Sequence, residues 1–465
     1  MLRGDTMKLN KPILLLVSFL IILGGCNTST EPTRSDDDDT EEPISYSPVE
    51  HPEWANNATI YEVNIRQYSQ EGTFDAFTED IPRLKEMGVE VLWLMPIHPI
   101  GEENRLGELG SYYSVQDFGE VNPEFGSKED LRELVQTAHN NDMKVILDWV
   151  ANHTAWDHVW TESNPDWYTK DENGNFVTPQ DWSDVIELNY NIEDMRDEMV
   201  DEMSYWVEEF NIDGFRADFA SGVPMDFWNR VRHDLNEIKP TFLLAEAEEP
   251  EFHEHAFDMS YAWSFPNLTH QIADGNAGPN AIHTYMLNEQ DQFDNSDYRM
   301  YYTSNHDINS WENSAVDRYG PALETMAVLA STLNGMPLVY NGQEARIDEE
   351  LAFFQKDQIE WSGYELEEFY TKLLQLNQNN PALWNGEAGG NYERISTNNS
   401  NIFAFRRVKE ENEVLVLLNL SDQSQTVTLQ DIESTTYTDI FAESEFTINS
   451  DPIELSSWDY LVLEK

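Results

Sequence analysis

The sequence predicts an α/β chain: a closed (β/α)8 barrel of the TIM type, interrupted by one short inserted domain and followed by a C-terminal antiparallel β domain. Three observations predict it. Eight short apolar runs, at 60–65, 89–95, 144–149, 214–218, 242–247, 259–263, 300–304 and 337–340, alternate with stretches of helical periodicity. Eight is the number that a closed parallel barrel needs. A segment rich in Trp, Asp, Asn and Pro, about 154–192, interrupts the alternation after the third run. Beyond residue 376 the pattern changes to strand-like runs at 402–408 and 413–420 with turn residues between them, and 460–463 offers a last strand.

The helices carry their own signals. Ser127-Lys128-Glu129-Asp130 resembles a capping box and precedes Leu131, Leu134, Val135 and Ala138, which share one helical face. Met195, Met199, Met203, Trp206 and Phe210 recur at helical spacing and are read as barrel-facing core. The barrel is expected to span 51–380 and a C-terminal β-sandwich domain 381–465. A chain of 465 residues with 40% hydrophobic residues and 14 Trp can build a core of that size.

Composition narrows the function classes. Asp and Glu total 88 against 27 Lys and Arg, a formal net charge of −61. Phosphate binding requires cationic surface, so nucleic acid is not expected as a partner. The acids are spread along an aromatic-rich chain, and only 36–39 with Glu41 and Glu42 form a run. Lysine is scarce, at 11 residues, and an acidic, lysine-poor surface resembles that of salt-adapted, halophilic proteins. An acidic extracellular protein without salt adaptation is the alternative.

Residues 1–26 read as a lipoprotein signal peptide. Lys8 and Lys11 form a basic region, 13–23 is apolar apart from Ser18, and Leu23-Gly24-Gly25-Cys26 resembles a lipobox. The apolar run is short for a membrane span. Cys26 is the only cysteine, so no intrachain disulfide can form, and a lipid on it would tether the protein to the cell envelope. Residues 27–50, rich in Ser, Thr, Pro and acids, read as a disordered, solvated tether.

Four segments place acidic or imidazole side chains at the ends of predicted strands. They are Asp148-Trp149-Val150-Ala151-Asn152-His153, Gly214-Phe215-Arg216-Ala217-Asp218, Leu244-Ala245-Glu246 and Ser304-Asn305-His306-Asp307. In this order they resemble the signature of the α-amylase family, glycoside hydrolase family 13, which cleaves or transfers α-linked glucose polymers on a (β/α)8 barrel. Side chains at the C-terminal ends of barrel strands converge whatever their separation in sequence. Retaining glycosidic cleavage requires two such carboxyl groups, one nucleophile and one proton donor.

The resemblance implies Asp218 as nucleophile, Glu246 as general acid and then base, and Asp307 as a transition-state stabiliser. It implies sugar-hydroxyl contacts for His153 and His306, a stacking role for Tyr113, and supporting roles for Asp148 and Asn305. Arg216 lies two residues before Asp218 and shares its strand face, so its guanidinium is expected to keep Asp218 ionised, with Asp148 orienting it. Glu246 must start the cycle protonated, which calls for a drier or less cationic place. The segment 335–344 resembles the family's eighth-strand region and is read as structural.

The chain departs from the family pattern in places. Lys-His commonly follows the nucleophile by three and four residues; here Ser221 and Gly222 stand there. Asn152 matches a calcium-binding asparagine, yet no partner for it is identifiable in the short inserted domain, and the Asp-rich loop of some relatives is replaced by Gln70-Glu71-Gly72-Thr73-Phe74-Asp75. A Ca2+ ion is left open; no organic cofactor is implied. Ile186-Glu187-Leu188-Asn189-Tyr190 is closer to the cyclomaltodextrinase and oligo-glucosidase side of the family, but the N-terminal β module usual for cyclomaltodextrinases and neopullulanases is not seen.

The expected activity is endo-acting hydrolysis of α-1,4-glucosidic bonds in starch, maltodextrins or related α-glucans. An α-glucosidase, a cyclomaltodextrinase or neopullulanase type of hydrolase, or a transglycosylase is the alternative. A non-catalytic glucan-binding lipoprotein is the reading from another class, and the presence of Asp218, Glu246 and Asp307 together argues against it. Of Trp156, Trp160, Trp167 and Trp182, most are expected to pack the inserted domain and at least one to offer a face to sugar.

Overall fold

The eight expected strands all form, and they close on themselves. They are Ile60–Val63, Val91–Leu94, Lys144–Trp149, Gly214–Ala217, Phe242–Ala245, Met259–Tyr261, Tyr298–Tyr301 and Met336–Tyr340. Every neighbouring pair runs parallel. These coordinates are a computed structural model that describes residues 45–465, Asp431 excepted. The expected signal peptide, the lipidated Cys26 and the tether up to residue 44 lie outside the described residues. Among the described residues no helix is long and apolar enough to cross a membrane.

The largest boundary correction is in the seventh strand, which runs Tyr298–Tyr301 and not 300–304. The cause is a helix start. Asn305 accepts the Ile308 N–H at 2.8 Å and caps the helix His306–Trp311, so the chain turns out of the sheet before it. Asp218 and Glu246 likewise stand one residue beyond their strands, at the mouth of the barrel.

Period-two alternation builds the barrel's interior. Ile60, Trp93, Ile146, Leu244, Tyr261 and Met300 belong to a buried cluster inside it. Their sequence neighbours Tyr61, Leu92, Leu147 and Leu243 belong to the larger core between strands and helices. Two residues further toward the C-terminal mouth, the inward positions become charged: Ile60 is followed by Glu62, Ile146 by Asp148, and Leu244 by Glu246. The fourth strand passes from Gly214 through Arg216 to Asp218. A Cβ at Gly214 would fall 1.8 Å from the Phe242 carbonyl oxygen, so only glycine lets these two strands approach.

The helix Lys128–Asn140 carries a complete capping box between Ser127 and Asp130. The helix Glu193–Phe210 buries Met195, Met199, Met203, Trp206 and Phe210, as its periodicity predicts. Between the third strand and that helix, His153–Ala155 pairs antiparallel with Val185–Glu187 and forms the root of the inserted domain. The C-terminal domain is a six-stranded antiparallel sheet with a two-stranded ribbon. Arg407 in it is fully buried and donates to the carbonyls of Leu333, Leu383, Trp384 and Gly390, which ties this domain to the end of the barrel.

Candidate active site

The charged mouth of the barrel opens into a cavity of about 360 Å³ lined by Tyr113, His153, Asp218, Glu246, His306 and Asp307. Arg216, the seventh residue expected here, lies beneath it and is fully buried. Its guanidinium is the hub of the site. Nη1 donates to Asp148 Oδ1 at 2.8 Å and to Asp218 Oδ1 at 2.9 Å, and Nε donates to the Tyr261 hydroxyl at 3.2 Å. Nη2 lies 3.0 Å from Glu246 Oε2, but without hydrogen-bond alignment.

Strand register explains the arrangement: Asp148 pairs directly across from Arg216. The other Asp148 oxygen accepts Trp93 Nε1–H and the Tyr113 hydroxyl, each at 3.1 Å. Asp148 is fully buried, so it orients Arg216 and cannot reach a substrate.

Glu246 was expected in a drier or less cationic place, and the structure supplies only the first. Burial pushes its carboxyl up to about 8; Arg216 pulls it down, and Asp218 and Asp307 push it up again. It accepts the Phe219 N–H at 2.6 Å. Phe219 turns that N–H inward from a left-handed backbone conformation, φ +41°, which is costly for a bulky residue.

Asp307 opens its helix and keeps 34% side-chain exposure, its Oδ2 3.3 Å from His306 Nε2. Asn305 is fully buried; its contribution is the cap that places His306 and Asp307. The Tyr113 ring stacks on His306 at 5.5 Å, and its hydroxyl lies 2.8 Å from His306 Nε2. His153 stands beside Trp182 at 5.4 Å, and burial holds its imidazole below the ordinary value.

Several lining residues were not legible in the sequence. Phe219 is one; Trp311, Phe353 and Phe354 form an aromatic wall, with Trp311 57% exposed and 5.2 Å from Phe353. They lie on irregular chain that carries no periodic signal, save Trp311, four residues after Asp307 on the same helix. Glu62, below the cavity, did have a signal: a charge in the middle of an apolar strand. Of the four tryptophans in the inserted domain, Trp182 reaches the cavity. Trp160 is buried, Trp156 donates Nε1–H to the Ser183 carbonyl, and Trp167 packs edge-on against Trp160. In the segment 335–344, buried Glu344 accepts from Tyr61 and Arg83, a structural network outside the cavity.

Asn152, the residue that matches a calcium-binding asparagine, is buried beside the site. Its Nδ2 lies 3.2 Å from His153 Nδ1, and its Oδ1 packs so close to Gly222 that a Cβ there would come within 2.6 Å. Ca2+ takes six to eight oxygen ligands. Among the described residues no group of three or more His, Cys, Asp or Glu is placed to hold a metal ion. No step below uses a metal ion.

A barrel whose mouth gathers Asp218, Glu246 and Asp307, the first two against a buried arginine, has the carboxyl groups that glycosidic cleavage requires. The family model for the alpha amylase catalytic domain matches residues 33–185 and 156–415, and that for the maltogenic amylase C-terminal domain matches 392–462. The chain belongs to the α-amylase family, glycoside hydrolase family 13.

Alpha-amylase MalA of Haloarcula japonica is 27% identical over 439 residues, covering 88% of this chain and 63% of the relative, so the chain spans less than two thirds of that protein's length. The maltogenic alpha-amylase of Bacillus acidopullulyticus is 26% identical over 438 residues, covering 84% of this chain and 70% of its own. Among solved structures, a noncanonic maltogenic alpha-amylase, AmyB from Thermotoga neapolitana, superimposes with a TM-score of 0.81 at 28% identity, covering 88% of this chain and 99% of that one. An alpha-amylase from Lactobacillus plantarum gives 0.80 at 26% identity, covering 89% and 99%.

Proposed function

We propose that the protein hydrolyses α-1,4-glucosidic bonds of starch-derived chains with retention, cutting within the chain. One observation carries this: Asp218 and Glu246 hold the same buried guanidinium and open, with Asp307, into one cavity. A shared arginine supports the close pairing that a retaining pair requires, about 5–5.5 Å. Asp218 attacks the anomeric carbon while Glu246 gives its proton to the departing glycosidic oxygen. Glu246, now a carboxylate, takes a proton from the water that attacks the glycosyl ester, and Asp218 leaves. Asp307, His306 and His153 hold hydroxyls of the sugar being cleaved, and Tyr113 packs against its ring.

Endo cleavage is supported by two exposed aromatic side chains in the cavity lining, Trp182 from the inserted domain and Trp311 from the helix after the seventh strand, which offer faces to sugars beyond the one being cleaved. The similarity of the C-terminal domain and of the whole fold to maltogenic amylases favours a second reading, release of short products from chain ends. Soluble starch distinguishes them. Endo cleavage makes iodine colour fall quickly before maltose or glucose accumulates; colour falling only in proportion to a dominant small product from the first minutes would overturn it.

Anchoring at the cell envelope through Cys26 is part of the proposal and rests on the basic, apolar and Leu23-Gly24-Gly25-Cys26 segments. So is adaptation to salt. Self-repulsion from a net charge of −61 opposes the compact state. The Debye length falls from about 10 Å at 0.1 M to about 3 Å at 1 M, so Tm is expected to rise between low and molar NaCl. A Tm flat across that range would show that the charges do not strain the fold.

A further inference from the structure

Glu62 is fully buried in the first barrel strand, in register with Trp93 on one side and Tyr340 on the other. A buried carboxylate is costly unless it is paired. Both of its oxygens serve one residue. Oε1 meets His306 Nδ1, and Oε2 accepts the His306 backbone N–H at 3.3 Å. Among the described residues, His306 is its sole ion-pair partner.

The opposite edge of the His306 ring faces the site. The Tyr113 hydroxyl lies 2.8 Å from Nε2 and 3.1 Å from Asp148 Oδ2, and a carboxylate oxygen can only accept, which assigns the single hydroxyl proton to Asp148. The Tyr113 oxygen is then free only to accept, which makes Nε2 a donor. Nδ1, facing a carboxylate oxygen, is a donor as well. Two donating nitrogens on one imidazole define an imidazolium.

We propose that Glu62 is a positioning residue of the reaction, clamping the ring and backbone of His306 and keeping it a cation whose Nε2–H meets the Tyr113 oxygen and whose charge stands against Asp307 beside the sugar being cleaved. The charged and titratable groups around the ring are Glu62 on the first strand, Asp148 on the third, Arg216 on the fourth, Tyr113 in the loop after the second, and Asp307 beside it. Tyr261, Tyr302 and Tyr340 lie near Glu62 as well. Burial opposes the charge on His306, but Asp307 and Glu62 outweigh it and raise the imidazole to about 9, against the repulsion of Arg216. A neutral ring would turn a bare Nε2 lone pair toward the Asp307 carboxylate 3.3 Å away, acceptor against acceptor. The catalytic part of this inference rests on the hydrolase reading above; the state of His306 does not.

The test uses the whole enzyme with Glu62→Gln, which keeps an acceptor for Nδ1–H but removes the charge, and Glu62→Asp, which restores the charge. Titration of 15N-labelled histidine, with the His306 signal assigned by its loss in His306→Gln, is expected to show the imidazole charged through neutral pH in the wild type. In Glu62→Gln its midpoint should fall by about one unit or more, and Glu62→Asp should recover much of the shift. On maltoheptaose, Glu62→Gln should lower kcat about tenfold, the loss of one charge-assisted hydrogen bond, with less change in KM, and Glu62→Asp should recover much of that loss. An unchanged His306 midpoint in Glu62→Gln would overturn the proposal. A wild type inactive on maltoheptaose would defeat the hydrolase reading alone, and the histidine titration would still decide for or against the clamp.

Discussion

Asp218→Asn is expected to reduce hydrolysis of maltooligosaccharides by several orders of magnitude while leaving the fold intact. The amide is the same size and keeps an oxygen for Arg216 Nη1, which now lies 2.9 Å from the carboxylate. Arg216 is not left an orphaned buried cation, because Asp148 stays at 2.8 Å and Glu246 at 3.0 Å. What is lost is the one group proposed to form the bond to the anomeric carbon, and no other side chain can take its place without moving the sugar. Turnover should therefore collapse with a thermal midpoint close to the wild type. A variant that retains a near wild-type rate would remove Asp218 from the nucleophile's role, and one that fails to fold would show that its charge is structural.

Glu246→Gln is expected to be comparably damaged on starch chains but to recover on aryl maltosides with acidic leaving groups, which depart without a proton. The recovery should be partial in a particular way. The second half-reaction still lacks its base, so aryl release should appear as a burst of about one equivalent per enzyme followed by slow turnover. Absence of both burst and recovery would refute the acid role. The wild-type pH profile supplies an independent reading of the same group. Glu246 can donate only while protonated, and burial, with Asp218 and Asp307, pushes it up to about 8 in the folded site against the pull of Arg216. Hence kcat/KM should hold below that value and fall as pH rises through it, and this limb should disappear from aryl-maltoside cleavage by Glu246→Gln. Because the Glu246 side chain keeps 17% exposure toward the cavity, a bound sugar should dry it further and carry the limb of kcat upward relative to that of kcat/KM.

Much of this site was legible in the chain because its signals are local. The inward positions of each strand can be counted by twos, and the step from Ile146 to Asp148, or from Leu244 to Glu246, marks where a buried face becomes a charged mouth. The seventh strand shows the limit of such counting. Apolar character continues past Tyr301, but the cap offered by Asn305 outweighs strand propensity and starts a helix. The aromatic wall shows another, since Phe353 and Phe354, which join Trp311 in it, lie on irregular chain with no period from which a facing direction could be read.

By itself the sequence determined the eight-stranded barrel, the place of the insertion, the C-terminal β domain, and the stations of Asp218 and Glu246 just beyond two strand ends, whereas Asp307 stands on the helix that follows the seventh strand. The elements follow from spacing and periodicity and the acids from motif resemblance, both of which are properties of short stretches of chain. Only the tertiary structure decided that Asp218 and Glu246 share Arg216, that Glu62 from the first strand meets His306 beyond the seventh, and that Trp182 and not its three neighbours faces the cavity. Which side chains meet across the mouth depends on how the barrel closes, and closure is set by register between strands far apart in sequence, a pairing that no single stretch of chain contains.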